Sequence, residues 1–121
     1  MTPERKTILI VEDDASLRAA LAAGFRRTPY DVVTATLAEA LERFAAGLRP
    51  HLVIADLWGG PPACERLADG LRRWGPAARV LCLSSRSCPR LGEAACLSEF
   101  ALEGTVPRRE QLLEFVSRIL A

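Results

Sequence analysis

The chain has 121 residues, 50% of them hydrophobic, enough for one domain over residues 1–121 whose sheet is covered by helices on both faces. Sixteen basic residues against 15 acidic leave a formal net charge of +1, so no strong field invites direct contact with nucleic acid or anionic lipid. Lys6 is the only lysine among those 16 basic residues, and the rest are arginine, which limits any chemistry that needs a compact ammonium. After the charged start only Ile8–Val11 are apolar before Glu12, too short a run for a signal peptide, and nothing approaches a membrane span. A cytoplasmic location is expected. Cys64, Cys82, Cys88 and Cys96 contain no C-x-x-C and have no clustered histidine, so reduced, buried thiols are expected rather than a zinc site.

Strand and helix periods alternate along the chain. Thr7–Val11 is a short apolar run read as a strand, and Leu17, Leu21 and Phe25 with Ala20 and Gly24 follow at helical spacing until Thr28-Pro29. Asp31–Ala35 is the second strand; Leu37, Leu41, Phe44 and Leu48 form the next helical stripe, which closes near Gly47. Leu52–Ala55 reads as the third strand, broken by Gly59-Gly60-Pro61-Pro62, and Leu67, Leu71 and Trp74 as a helix that stops at Gly75-Pro76. Arg79–Leu83 is the fourth strand, followed by a helix between Pro89 and Glu99 and a weak strand near Leu102–Val106. Leu112, Val116 and Ile119, beside Leu113 and Leu120, form a last helix expected to dock on the sheet. Short continuous β-branched runs suit a parallel sheet buried on both faces. A βα unit repeated five times implies right-handed crossovers, with the functional site outside the carboxyl ends of the strands.

Glu12, Asp13 and Asp14 follow the first strand and Asp56 follows the third, so four carboxylates are expected on one sheet edge. Like charges that close raise one another's pKa, and a hard divalent ion relieves them; Mg²⁺ takes one or two carboxylates, several waters and a phosphate oxygen. The simpler alternative, that Asp14 caps the first helix and Glu12 is solvated, is expected to hold for Asp14. His51 opens the third strand at the end opposite the acidic edge, so a capping or surface role is expected of it.

Ile-Leu-Ile-Val-Glu-Asp-Asp (8 to 14), Leu-Val-Ile-Ala-Asp-Leu (52 to 57) and Val-Leu-Cys-Leu-Ser-Ser (80 to 85) resemble response-regulator receiver domains, strongly over the first 58 residues or so and at the fourth strand. The resemblance implies a flavodoxin-like, doubly wound (βα)5 fold with a five-stranded parallel sheet. It implies that Asp56 accepts a phosphoryl group, that Glu12, Asp13, Asp56 and the backbone carbonyl of Trp58 hold Mg²⁺, and that Ser84 hydrogen-bonds the phosphoryl group and moves on activation. The implied partners are a histidine kinase or phosphotransfer protein and an output domain or protein target, with a homodimer as a further option. The chemistry suits these residues independently, because a carboxylate is a competent nucleophile and phosphoryl transfer mainly needs positioning and charge neutralisation.

Three departures from the family pattern stand out. Val106, before Pro107, occupies the place of the usual lysine, and Glu103 that of the usual switch aromatic. The loop Leu57-Trp58-Gly59-Gly60-Pro61-Pro62 is slightly short, and Trp58 at its rim reads as a lid or, preferably, as a packing or partner-contact aromatic. Arg86 and Arg108 offer positive charge, but neither stands at the lysine position.

Two functional readings follow: a receiver that is phosphorylated on Asp56 with impaired switching, and a pseudo-receiver that works as a phosphorylation-independent interaction module. The first is preferred. Neither is an enzyme with its own substrate, beyond slow self-phosphorylation and self-dephosphorylation. An aspartate-nucleophile hydrolase would carry a second carboxylate two residues after Asp56, where Trp58 stands, and no glycine-rich nucleotide motif is present.

Overall fold

The computed structural model describes residues 5–57, 61–75, 77–83 and 109–121. The expected helix between Pro89 and Glu99 and strand near Leu102–Val106 lie outside them, as do Trp58, Ser84, Glu103, Val106 and Pro107. Within the described residues the order is β1 (Thr7–Glu12), α1 (Ala15–Ala23), β2 (Asp31–Ala35), α2 (Leu37–Ala45), β3 (Leu52–Asp56), α3 (Pro61–Trp74), β4 (Arg79–Cys82) and α4 (Arg109–Leu120). The four strands form a parallel sheet in the order β2-β1-β3-β4.

The alternating side chains of the strands divide the core in two. Leu9, Val11, Val53 and Ala55 face Leu37, Phe44, Leu67 and Leu71 of α2 and α3. Ile8, Ile10, Leu52 and Ile54 face Leu21, Phe25, Leu112 and Val116, the contributions of α1, its following turn and α4. Residues Ile8 to Val11 and Leu52 to Ile54 have no solvent exposure, as the unbroken apolar runs required.

Helix boundaries follow local chemistry. Asp14 caps α1 by accepting from Leu17 N at 2.9 Å, the role expected of it. Thr36 and Glu39 form a reciprocal capping box at the start of α2, which ends before Gly47 at φ +112°, a conformation that favours glycine. Inside α3, a Cβ added at Gly70 would lie 2.5 Å from Leu41 Cδ2, so this glycine marks the close approach of α3 to α2.

The amino edge of the sheet is tied down by basic side chains. Lys6 Nζ donates to Leu120 O at 2.7 Å and an Arg79 guanidinium nitrogen to Ile119 O at 3.1 Å, so both cations meet the carbonyl end of α4. His51 Nδ1 accepts from Thr7 N at 3.0 Å, which makes it a backbone-capping group at the start of β3, as its position suggested. One expectation is corrected: Cys64 is disulfide-bonded, whereas Cys82 is buried and takes part in no disulfide. Spacing alone carries no signal for a pair joined through the tertiary fold, and cysteine usage therefore does not argue for a reducing compartment. Among the described residues no helix is long and apolar enough to cross a membrane.

Candidate functional site

β1 and β3 are adjacent and parallel, and their register sets Glu12 opposite Asp56 at the carboxyl edge of the sheet. Both lie in sequence with the even-numbered residues of their strands, on the α1/α4 side, so the two carboxyl groups emerge as directly neighbouring side chains. Glu12 is fully buried and Asp56 half-buried. Glu12 is thus not the solvated residue of the simpler sequence reading.

Burial raises the Asp56 pKa above its ordinary 3.8, and a side-chain hydrogen bond with Glu12 acts in the opposite, lowering direction. A second Glu12 interaction fixes the loop, because Oε1 accepts from Asp14 N at 3.1 Å.

Asp13 and Asp14 diverge from this pair. Asp14 is committed to the α1 cap. Asp13 is exposed, and its Oδ1 accepts from Leu37 N at 2.9 Å, at the first turn of α2. Arg18 on α1 donates through one nitrogen to Glu12 O at 2.8 Å and to Asp13 O at 3.5 Å, fixing the backbone from which both side chains leave. The acidic edge is therefore tied to the amino ends of two helices. The contact between Asp13 and α2 escaped the sequence reading; the Thr36-x-x-Glu39 pattern marks the helix start, but nothing local says which loop approaches it.

Among the described residues no group of three or more His, Cys, Asp or Glu side chains is arranged to hold a metal ion. Mg²⁺ keeps several waters and needs only one or two protein carboxylates, so an all-protein cage is not a requirement for it.

The raised pKa of Asp56 has a consequence for stability with a definite sign. A carboxyl whose folded pKa exceeds its unfolded value contributes stability at pH below the unfolded value, and loses it as pH rises through the folded one. Asp56→Asn removes that loss, so the variant is expected to be more stable than wild type at neutral pH. The gap should close as pH falls toward 3.8. Urea denaturation of both proteins across this range tests it; a variant less stable at neutral pH would contradict the burial assigned to Asp56.

No protein-family model and no curated protein matches the sequence. Solved structures do. The Vibrio cholerae chemotaxis protein CheY4 superposes with a TM-score of 0.75 at 20% identity, over 96% of this chain and 99% of that one. A response regulator from Thermotoga maritima gives 0.73 at 18% identity, over 96% and 98%. The receiver domain of the hybrid histidine kinase CckA gives 0.68 at 24% identity, over 95% and 99%. The chain therefore has the α/β fold of response-regulator receiver domains, with an acidic pair where the carboxyl ends of its two central strands meet. At these identities the likeness is one of fold.

Proposed function

We propose that this chain is a receiver module that accepts a phosphoryl group on Asp56 with Mg²⁺ and passes the change on through protein contacts. The observation that carries the reading is the register of Glu12 with Asp56, a buried acid beside a half-buried one at the carboxyl edge of a parallel sheet, where open α/β folds place their ligands. Asp56 would attack the phosphorus of a donor, forming its acyl-phosphate bond as the donor's bond breaks. Asp13 and Asp56, with the Trp58 carbonyl from the family resemblance, would hold Mg²⁺, which supplies charge neutralisation at the phosphoryl oxygens. Glu12 holds the loop through Asp14 N and lies directly beside Asp56. Ser84, by resemblance, would hydrogen-bond the phosphoryl group.

The partner on the input side would be a histidine kinase or phosphotransfer protein, and on the output side a linked domain or protein target. This follows the roles named for similar folds, which include a LuxR family DNA-binding response regulator and the receiver of CckA. A phosphorylation-independent interaction module is the second reading, favoured by Val106 and Glu103 at the positions of the family's lysine and aromatic.

Intact mass after incubation with a small phosphodonor and Mg²⁺ separates the two. The first reading expects the mass of one phosphoryl group to be added, and lost in Asp56→Asn; folded protein that binds Mg²⁺ and never labels supports the second. Asp13→Asn should weaken Mg²⁺ binding strongly, followed as a change in tryptophan fluorescence. An asparagine oxygen can still accept from Leu37 N, so this variant removes charge and keeps the helix contact. Unchanged Mg²⁺ affinity would remove Asp13 from the site.

A further inference from the structure

At the opposite, amino edge of the sheet lies a recess of ≈ 480 Å³, within the range of roughly 300–1,000 Å³ usual for small-molecule clefts. Lys6, Arg49, His51 and Arg79 contribute its polar lining, Trp74 and Ile119 its apolar wall, and among the described residues no Asp or Glu lines it. The three formal cations are held in place by main-chain carbonyls: Lys6 by Leu120 O at 2.7 Å, Arg79 by Ile119 O at 3.1 Å, and Arg49 by Phe44 O at 2.8 Å and Leu48 O at 2.9 Å.

Helix capping explains these contacts but not the whole arrangement. Each contact set uses one nitrogen, while an ammonium has three N–H donors and a guanidinium five. A helix carboxyl end offsets only about half a charge. Three cations around one recess therefore retain positive charge and spare donors. His51 adds a fourth group, since its Nδ1 accepts from Thr7 N and the proton of the neutral ring is left on Nε2. The charge contrast with the edge that carries Glu12, Asp13, Asp14 and Asp56 arises within a chain whose formal net charge is only +1.

We propose that this recess is a binding site for a small organic anion, with its phosphate or carboxylate held by Lys6, Arg49 and Arg79 and its apolar part against Trp74 and Ile119. The site is separate from the acidic edge and does not depend on the reading of Asp56.

The test is a titration of the full chain with phenyl phosphate in the presence of a metal chelator, followed by amide NMR, with inorganic phosphate and phenol as comparison probes. Saturable shifts are expected at Thr7, whose amide bonds His51, and at His51, Arg79 and Ile119. Affinity should fall about tenfold in Arg79→Gln, the usual effect of losing one charge-assisted contact, and should weaken as salt is added. Lys6→Gln should act similarly. Both of these variants touch the end of α4, so where they disturb it, Arg49→Gln, whose contacts are to Phe44 O and Leu48 O, and the salt dependence decide the matter. Inorganic phosphate should bind more weakly than phenyl phosphate, and phenol not measurably. Non-saturating shifts, shifts confined to the Asp13 and Asp56 edge, or affinity unchanged in the variants and by salt would each overturn the site. Inorganic phosphate binding as tightly as phenyl phosphate would overturn the role of the apolar wall.

Discussion

Phe44→Ala is expected to destabilise the fold by about 3–5 kcal/mol, the usual cost of truncating a fully buried aromatic. Phe44 has no solvent exposure and packs with Leu9, Val53 and Leu67 between α2, α3 and the sheet. Gly70, whose absent Cβ lets α3 approach Leu41 of α2, lies against the ring as well: a Cβ built there would be 3.7 Å from Phe44 Cδ2. The layer is closely filled, so little collapse can offset the lost ring. Domains are stable by only about 5–15 kcal/mol, and this one change removes a large share. Glu42→Ala, at an exposed position of the same helix, should stay within about 0.5 kcal/mol. Urea denaturation of the three proteins measures the contrast; equal midpoints for the two variants would refute the assigned packing.

The same residue shows what the sequence made legible. Leu37, Leu41, Phe44 and Leu48 recur at helical spacing, and the two most buried of them, Leu37 and Phe44, face the sheet. Yet α2 stops at Ala45, and Leu48 joins the core from beyond the helix because Gly47 turns the chain. Phe25 does likewise after α1. Periodicity reports which side chains face the core, and it overshoots where a turn keeps the same face for a few residues more. The strands were legible because continuous apolar runs buried on both faces have few other solutions, although β1 and β3 each extend by one acidic residue, Glu12 and Asp56.

The site was legible as far as strand ends alone determine it. Placing Glu12 and Asp56 side by side needs only two parallel neighbouring strands. The commitments of the other acids depend on tertiary approach: Asp13 meets Leu37, 24 residues away, and sequence spacing gives no hint of it. Lys6 is the strongest case, since its partner carbonyl lies 114 residues along the chain. The only lysine of the sequence thus bonds the end of the last helix from the residue that precedes the first strand.

That position of Lys6 sharpens the second large expectation. The chain has no other lysine, and Lys6 stands at the start of β1 while Glu12 and Asp56 stand at the far end of the sheet. Six residue steps along the strand carry the chain from Lys6 to Glu12, about 20 Å at ~3.3 Å per residue, so its ammonium cannot serve the acidic edge. With Val106 where the resemblance places a lysine, phosphorylation of Asp56 is expected to be slow and to depend mainly on Mg²⁺ for charge neutralisation. Val106→Lys should therefore raise the rate or extent of labelling by about ten- to a hundredfold, corresponding to a charge-assisted contact of roughly 1.5–3 kcal/mol. Time-resolved intact mass with a small phosphodonor and Mg²⁺ reads the effect, with urea denaturation run alongside to check that the new charge leaves the fold intact. The gain should vanish in the double variant that also carries Asp56→Asn. Rapid, complete labelling of the wild type would show that this pocket works without an ammonium. If both folded proteins bind Mg²⁺ and neither labels, Asp56 is no phosphoacceptor, and the Glu12–Asp56 edge serves an interaction module instead.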